Sequence, residues 1–265
     1  MSDSTSGASS SYRGRFVWFD LNTTDEKAAQ TFYKSIAGWG IDQWDMGGTP
    51  YYMWTVGGTT IGGMREFPAA ALAQGAHPHW LGYIATEDVD ATVALAATMG
   101  AKVMVAPTAI PTVGKFAVLS DPQGAVFAAF TPAGDAPGHE GMPAIGDVSW
   151  YELATTDMNA ALDFYGKLFG WTLSSDMDMG PNGVYRIFAR NGERMGGMYN
   201  TSDAMPMPPS WTFYIHVDDI HATAARVTAG GGTIMQPPME IPGGMIFLAR
   251  DPQGAVFAGH TISAM

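Results

Sequence analysis

Asp121-Pro122-Gln123-Gly124-Ala125-Val126-Phe127-Ala128 recurs unchanged as Asp251-Pro252-Gln253-Gly254-Ala255-Val256-Phe257-Ala258. An octapeptide used twice so far apart marks the chain as two copies of one unit, which constrains the fold more than any local motif does. Upstream, Trp18-Phe19-Asp20-Leu21-x-Thr23-Thr24-Asp25 answers Trp150-Tyr151-Glu152-Leu153-x-Thr155-Thr156-Asp157. Phe32-Tyr33 and Gly38-Trp39 likewise answer Phe164-Tyr165 and Gly170-Trp171. Within one copy the octapeptide is a hairpin signal, because Asp, Pro and Gly at the first, second and fourth positions suit a type I turn.

Each copy opens with an alternating run, Phe16 to Leu21 and Val148 to Ala154, suited to a half-buried strand. Asp25 and Asp157 then cap helices whose apolar faces are Ala29, Phe32, Tyr33 and Ile36, and Leu162, Tyr165, Leu168 and Phe169. Gly38 and Gly170 stand where a C-terminal cap belongs. Short β-type runs with Gly-Gly breaks follow, Tyr51 to Val56 with Thr59 to Met64, and Val184 to Ala189 with Arg194 to Tyr199. The pattern restarts inside each copy: strands Trp80 to Thr86 and Trp211 to Val217, helices Asp88 to Met99 and Asp219 to Ala229, strands Lys102 to Val105 and Thr233 to Gln236, then the closing hairpins around the repeated turn. The chain reads as an α+β protein of four βαβββ units paired two by two. Residues 15–131 and 147–262 are the two domains, 132–146 a Gly/Pro/Ala-rich linker and 1–14 a disordered Ser-rich lead-in. About 120 residues per copy suffice for a separate core, so each copy is expected to fold alone unless units are exchanged between copies.

The 265 residues carry 13 basic and 25 acidic side chains, a formal net charge of −12, and no cysteine. That balance opposes attraction to phosphate backbones, so no nucleic-acid partner is expected. No apolar stretch approaches the ~20 residues of a membrane helix, so no membrane partner is expected either. The missing cysteines exclude thiol nucleophiles, thiolate ligands and disulfides. The expectation is a cytoplasmic monomer or homodimer whose partner is a small molecule.

The strand followed by Thr-Thr-Asp and Phe-Tyr-x-x-x-x-Gly-Trp, the helix starts Asp88-Val89-Asp90 and Asp218-Asp219-Ile220, and both Asp-Pro-Gln-Gly hairpins give this chain its family likeness. It resembles the vicinal oxygen chelate superfamily of glyoxalase I, extradiol dioxygenases, and fosfomycin- and bleomycin-resistance proteins, from residue 15 to 262, twice over. The resemblance implies glyoxalase-like domains, each a pair of βαβββ units. It also implies where metal ligands would fall: Trp18, Leu81 and Ala128 in one copy, Trp150, Thr212 and Ala258 in the other. Trp, Leu and Ala cannot bind a divalent ion and Thr does so weakly. No metal and no other cofactor is therefore expected.

Strand parity points to other candidates. If Trp150, Thr212 and Ala258 face inward, so do Glu152, Tyr214, His216 and His260. Glu152, His216 and His260 have the composition of a facial metal triad, but their displacement is uneven and the first copy offers only Asp20, Ala85 and Phe130. Asp20 and Glu152 are one inward carboxylate per copy, either raised in pKa for acid–base work or satisfied by Trp, Tyr and backbone donors. His77-Pro78-His79 is assigned to a loop. Trp18, Trp54, Trp150, Tyr214, Met64 and Met198 supply flat rings and thioethers for a planar apolar ligand, with core filling as the alternative. Two readings stay open. One is metal-independent binding or sequestration of a small hydrophobic aromatic molecule, in self-resistance or as an accessory to biosynthesis. The other is a glyoxalase-like lyase or isomerase, or an oxygenase, acting on a polyketide-like substrate through Asp20, Glu152, His216 and His260.

Overall fold

The computed structural model describes residues 12–45, 48, 50–67, 69–73, 75–138, 141–202 and 207–263. The lead-in as far as residue 11, and linker residues 139 and 140, lie outside the described residues. The first copy runs β1 (Phe16–Thr23), α1 (Glu26–Ala37), β2 (Gly40–Asp45), β3 (Pro50–Val56), β4 (Thr59–Glu66), a short α2 (Ala69–Ala73), β5 (His79–Ala85), α3 (Val89–Thr98), β6 (Lys102–Ile110), β7 (Gly114–Ser120) and β8 (Val126–Pro132). The second runs β9 (Val148–Thr155), α4 (Met158–Phe169), β10 (Thr172–Asp178), β11 (Val184–Arg190), β12 (Glu193–Asn200), β13 (Ser210–His216), α5 (Ile220–Ala229), β14 (Thr233–Ile241), β15 (Gly244–Arg250) and β16 (Val256–Ile262). Among these residues no helix is long and apolar enough to cross a membrane.

Each copy forms one eight-stranded sheet, ordered β2-β3-β4-β1-β5-β8-β7-β6 and β10-β11-β12-β9-β13-β16-β15-β14. The two βαβββ units of a copy join antiparallel along β1–β5 and β9–β13, so the units pair within a copy. The βαβββ reading requires a strand between each first helix and its first β-type run but does not place it, because β2 and β10 are largely exposed and show no clean alternation of apolar and polar residues. The sequence patterns also end β6 and β14 too early. Both edge strands continue past Pro107 or Pro237-Pro238 with a shift in register there, as an edge strand tolerates.

The helices start where carboxylates can accept free backbone N–H groups. Asp25 accepts from Ala28 and Asp157 from Asn159 and Ala160, and Gly38 and Gly170 close α1 and α4 in the left-handed region at φ 69° and 78°. Ala29, Phe32, Tyr33 and Ile36 of α1 are buried, as are Ala161, Phe164, Tyr165, Leu168 and Phe169 of α4.

Those faces are buried against the opposite copy. Tyr33 Oη donates to Asp251 Oδ2 at 3.1 Å and accepts from Trp80 Nε1 at 3.0 Å. Reciprocally, Tyr165 Oη donates to Asp121 Oδ2 at 3.0 Å and accepts from Trp211 Nε1 at 3.1 Å. The other oxygen of each aspartate accepts the backbone N–H groups of the repeated turn, at 123, 124 and 125 or at 253, 254 and 255. Trp39 Nε1 donates to the carbonyl of Gly146 at 2.8 Å, and Trp171 Nε1 to that of Gly14 at 2.7 Å. Rings fill the space between: Phe16 stacks on Tyr151 with centroids 4.3 Å apart, Phe32 meets Phe257, and Phe127 meets Phe164, Tyr165 and Phe169.

Two expectations are corrected here. The copies do not have separate cores, because the main buried cluster draws on both. The lead-in is also not free up to residue 14, since Arg13 Nη2 donates to the carbonyl of Leu168 at 3.0 Å and Gly14 receives Trp171. A chain ending at residue 138 is therefore expected to unfold or self-associate, and sedimentation showing a folded monomer would contradict the shared core. Tyr33→Phe and Tyr165→Phe each leave a buried carboxylate oxygen without its donor. Each is expected to cost about 1–3 kcal/mol in urea unfolding.

Candidate functional site

Packing one face of each sheet into the shared core leaves the other face free, and in the first copy that face lines a cleft. On β1, Phe19 and Leu21 join the shared core, so parity turns Trp18 and Asp20 to the other side. In the first copy these two residues meet Tyr51, Met53, Arg65, Tyr83 and Phe130 around a cavity of about 320 Å3. Trp44, Thr60, Ile110 and Val113 extend its walls, and Asp135 and Pro137 of the linker close one side. The linker is held there by Arg15 Nη2, which donates to the carbonyls of Ala136 and Pro137 at 3.3 and 2.9 Å.

The cleft floor is a carboxylate surrounded by ring donors. Asp20 is 2% exposed. Its Oδ1 accepts from Trp18 Nε1 at 3.0 Å and Tyr51 Oη at 2.5 Å, and its Oδ2 from Tyr83 Oη at 2.7 Å. Arg65 Nε lies 3.6 Å from Oδ2, and its Cζ lies 5.6 Å from the centre of the Tyr51 ring. Burial first, and then the charge of Asp20, holds the Tyr51 and Tyr83 hydroxyls well above the ordinary tyrosine range, so both remain donors. Burial opposes the charge of Arg65, and Asp20 with the two tyrosines outweighs it. Tyr51 can cross the floor only because residue 63 is glycine: a Cβ there would lie 2.0 Å from its hydroxyl oxygen. Gly197 stands in the same relation to Tyr185, whose hydroxyl oxygen would lie 2.3 Å from such a Cβ.

The second copy repeats the floor without the cation. Trp150 Nε1 donates to Tyr185 Oη at 2.8 Å, Tyr185 Oη donates to Glu152 Oε2 at 2.9 Å, and Tyr214 also bonds Glu152. Where β4 brings Arg65 beside Asn22, β12 brings Tyr199 beside Ala154. Burial pushes the Glu152 carboxyl up, against the pull of the Tyr214 and Tyr185 bonds. His260 Nδ1 lies 3.0 Å from Ser149 Oγ, and burial, then His216, takes its pKa down to about 4. His216 turns its Nδ1 to the carbonyls of Pro143 and Ala144, each at 3.1 Å.

Glu152, His216 and His260 thus engage different partners, and among the described residues no three His, Asp or Glu side chains gather as a metal would require. Trp18, Tyr83 and Ala128 are level across β1, β5 and β8, as are Trp150, Tyr214 and Ala258 across β9, β13 and β16. The second strand therefore presents Tyr83 or Tyr214 at that level, rather than Leu81 or Thr212. Both hydroxyls are occupied by carboxylates, so the residues present do not fit a chelated divalent cation.

Trp54, Met64 and Met198 need correction as ligand-lining residues: all three are buried in the shared core. Trp54 packs on Tyr33, Trp39 and Trp80. Parity within a strand shows which residues share a face but not which face is the cleft. On β3 it is Tyr51 and Met53 that look into it. Tyr51, Tyr83 and Arg65 escape the sequence reading, although Arg65 has a detectable signal as the one basic residue in Met64-Arg65, answered by Met198-Tyr199. His79 starts β5, its Nδ1 turned to the carbonyl of His77 at 2.7 Å.

Two sheets of this order, each carrying a carboxylate with tyrosine donors on the face turned away from the shared core, define a tandem glyoxalase-like protein. The sequence matches the Glyoxalase/Bleomycin resistance protein/Dioxygenase superfamily over residues 15–129 and 147–258, and the chain belongs to it. It is 36% identical over 257 residues to the "Putative glyoxylase CFP32" of Mycobacterium tuberculosis, covering 94% of this chain and 95% of that protein. It is 29% identical to the "Anthracycline biosynthesis protein DnrV" of Streptomyces peucetius, over 92% of each. The fold is also that of the Mn(II)-bound glyoxalase from Novosphingobium aromaticivorans, with a TM-score of 0.63 at 18% identity, covering 94% of this chain and 82% of that one.

The raised pKa of Glu152 has a measurable consequence. A carboxyl whose pKa is raised on folding contributes stability below its unfolded value of ~4.3 and loses it as pH rises through the folded value. Glu152→Gln has no such titration, so its melting temperature should gain on that of the wild type between pH 4 and pH 8. A difference that stays constant across that range in calorimetry would contradict the assignment.

Proposed function

We propose that this protein binds a small, planar, hydrophobic aromatic molecule in the cleft of its first copy, and does so without a chelated metal. The observation that carries this reading is the lining: Trp18, Trp44, Met53, Ile110, Val113 and Phe130 surround a carboxylate whose oxygens are already taken by Trp18, Tyr51 and Tyr83. Such walls favour flat apolar ligands, and the cavity of about 320 Å3 falls at the small end of the ~300–1,000 Å3 usual for ligand sites. Asp20 is held by three ring donors with Arg65 beside it, a setting that fixes the floor of the cleft. The name of the Streptomyces relative supports an aromatic polyketide as the ligand class, and with it sequestration or carriage of a biosynthetic intermediate. We infer a cytoplasmic setting, with the chain acting as a monomer or homodimer.

Glu152 favours a second reading. A carboxyl raised by burial, bonded to two tyrosines and without a cation, suits proton transfer by a lyase, isomerase or oxygenase, and the mycobacterial relative's name points the same way. Under this reading Glu152→Gln lowers turnover by ~10²–10⁴-fold while binding survives.

Titration of chelator-treated protein with an anthraquinone, read by tryptophan fluorescence, tests the first reading. Saturable binding is expected, and Trp18→Ala should weaken it about tenfold or more through lost burial and stacking. Binding that needs an added divalent cation, or that ignores Trp18→Ala, overturns the proposal.

A further inference from the structure

Resting on the aromatic-binding reading, we propose that the ligand of the first cleft carries an acidic oxygen, a carboxylate or an ionised phenol on its ring system, and that Arg65 is the residue that selects it. The floor of this cleft does not need an arginine. Asp20 takes three ring donors at 2.5 to 3.0 Å, whereas Arg65 Nε stays 3.6 Å away, outside hydrogen-bonding distance. The second copy supplies an internal control. There a carboxylate, two tyrosines and a tryptophan build the same floor with Tyr199 in the register position of Arg65. A buried acid with tyrosine donors therefore forms on this scaffold without a cation, and Arg65 is an addition that the first copy alone carries.

Its setting fits a ligand contact. The Arg65 side chain is 44% exposed against 2% for Asp20, and among the described residues it is the one basic residue lining the cavity. A guanidinium has five N–H donors in a planar fork. Asp20 lies beside its Nε, and Tyr51 lies against its face and hydrogen-bonds it; the remaining donors of the five can receive an oxygen from inside the cleft. The fork matches a carboxylate or a phenolate with a neighbouring carbonyl better than it matches a neutral ring. The other charge in the lining, Asp135, stands on the exposed linker wall, so the acidic group of the ligand belongs at the Arg65 end and the apolar rings against Trp18 and Phe130.

The test compares anthraquinone-2-carboxylate with anthraquinone-2-carboxamide, which share a ring system and differ in charge, by fluorescence titration of the full chain. The carboxylate is expected to bind about tenfold or more tighter. Arg65→Gln should remove that preference while leaving the carboxamide affinity within a few-fold. Arg65→Lys, which keeps the charge and loses the fork, should keep only part of it. In the wild type, raising salt from 0.05 to 0.5 M should weaken the carboxylate and spare the carboxamide, which tests the charge without any substitution. Equal affinities for the two probes, or a preference that persists in folded Arg65→Gln, overturns the assignment of Arg65 while the aromatic-binding reading stands. Failure of both probes to bind overturns both.

Discussion

Two buried carboxylates that each need a donor from the other half of the chain organise this protein. Asp121 and Asp251 begin identical turns, and in each one oxygen is satisfied locally by the backbone N–H groups of its own turn. The other oxygen depends on a tyrosine from the first helix of the opposite copy. Burial pushes both carboxyls up in pKa and the hydrogen bonds oppose it, so neither aspartate is well accommodated unless both copies are folded and apposed. Gly14 and Gly146, just ahead of β1 and β9, are tied across the same interface by Trp171 and Trp39. This reciprocity commits one face of each sheet to a common aromatic core and leaves the opposite faces to carry Asp20 and Glu152.

Much of this architecture was legible in the chain. The duplicated octapeptide announced both the repeat and its hairpins, the Asp caps and Gly stops placed the helices, and parity along β1 and β9 set Trp18, Asp20, Trp150 and Glu152 on one face. What lay beyond reach were facts about pairing between segments. A repeated Tyr33 or Tyr165 shows helical burial, but nothing local says that its partner lies in the other copy, so the residues that make the repeat visible are mainly those that join its halves. Trp54, Met64 and Met198 were misassigned for a related reason: apolar residues line both faces of these sheets, and composition cannot tell a wall of the shared core from a wall of the cleft. The exposed edge strands β2 and β10, which the βαβββ pattern requires, carry too little alternation to be placed.

The two clefts have diverged on a common floor. Tryptophan, tyrosine and carboxylate recur in both, and Gly63 and Gly197 make the same room for the tyrosine ring. Arg65 balances Asp20 in one, whereas Tyr199 leaves Glu152 without a countercharge in the other. The first floor thereby sets a cation beside its buried carboxylate, beneath largely apolar walls. In the second, burial raises the Glu152 carboxyl, while His260 and His216 face Ser149 and the linker carbonyls.

The claim on which this account turns is that an organic ligand occupies the place where superfamily members hold a metal. Native mass spectrometry of the protein purified from its own source, paired with elemental analysis of the same sample, addresses it most directly. The account predicts an organic adduct of up to one per chain that is released on denaturation, and no stoichiometric divalent metal. About one tightly bound iron, zinc, manganese or nickel ion per chain, retained without any organic adduct, would contradict it.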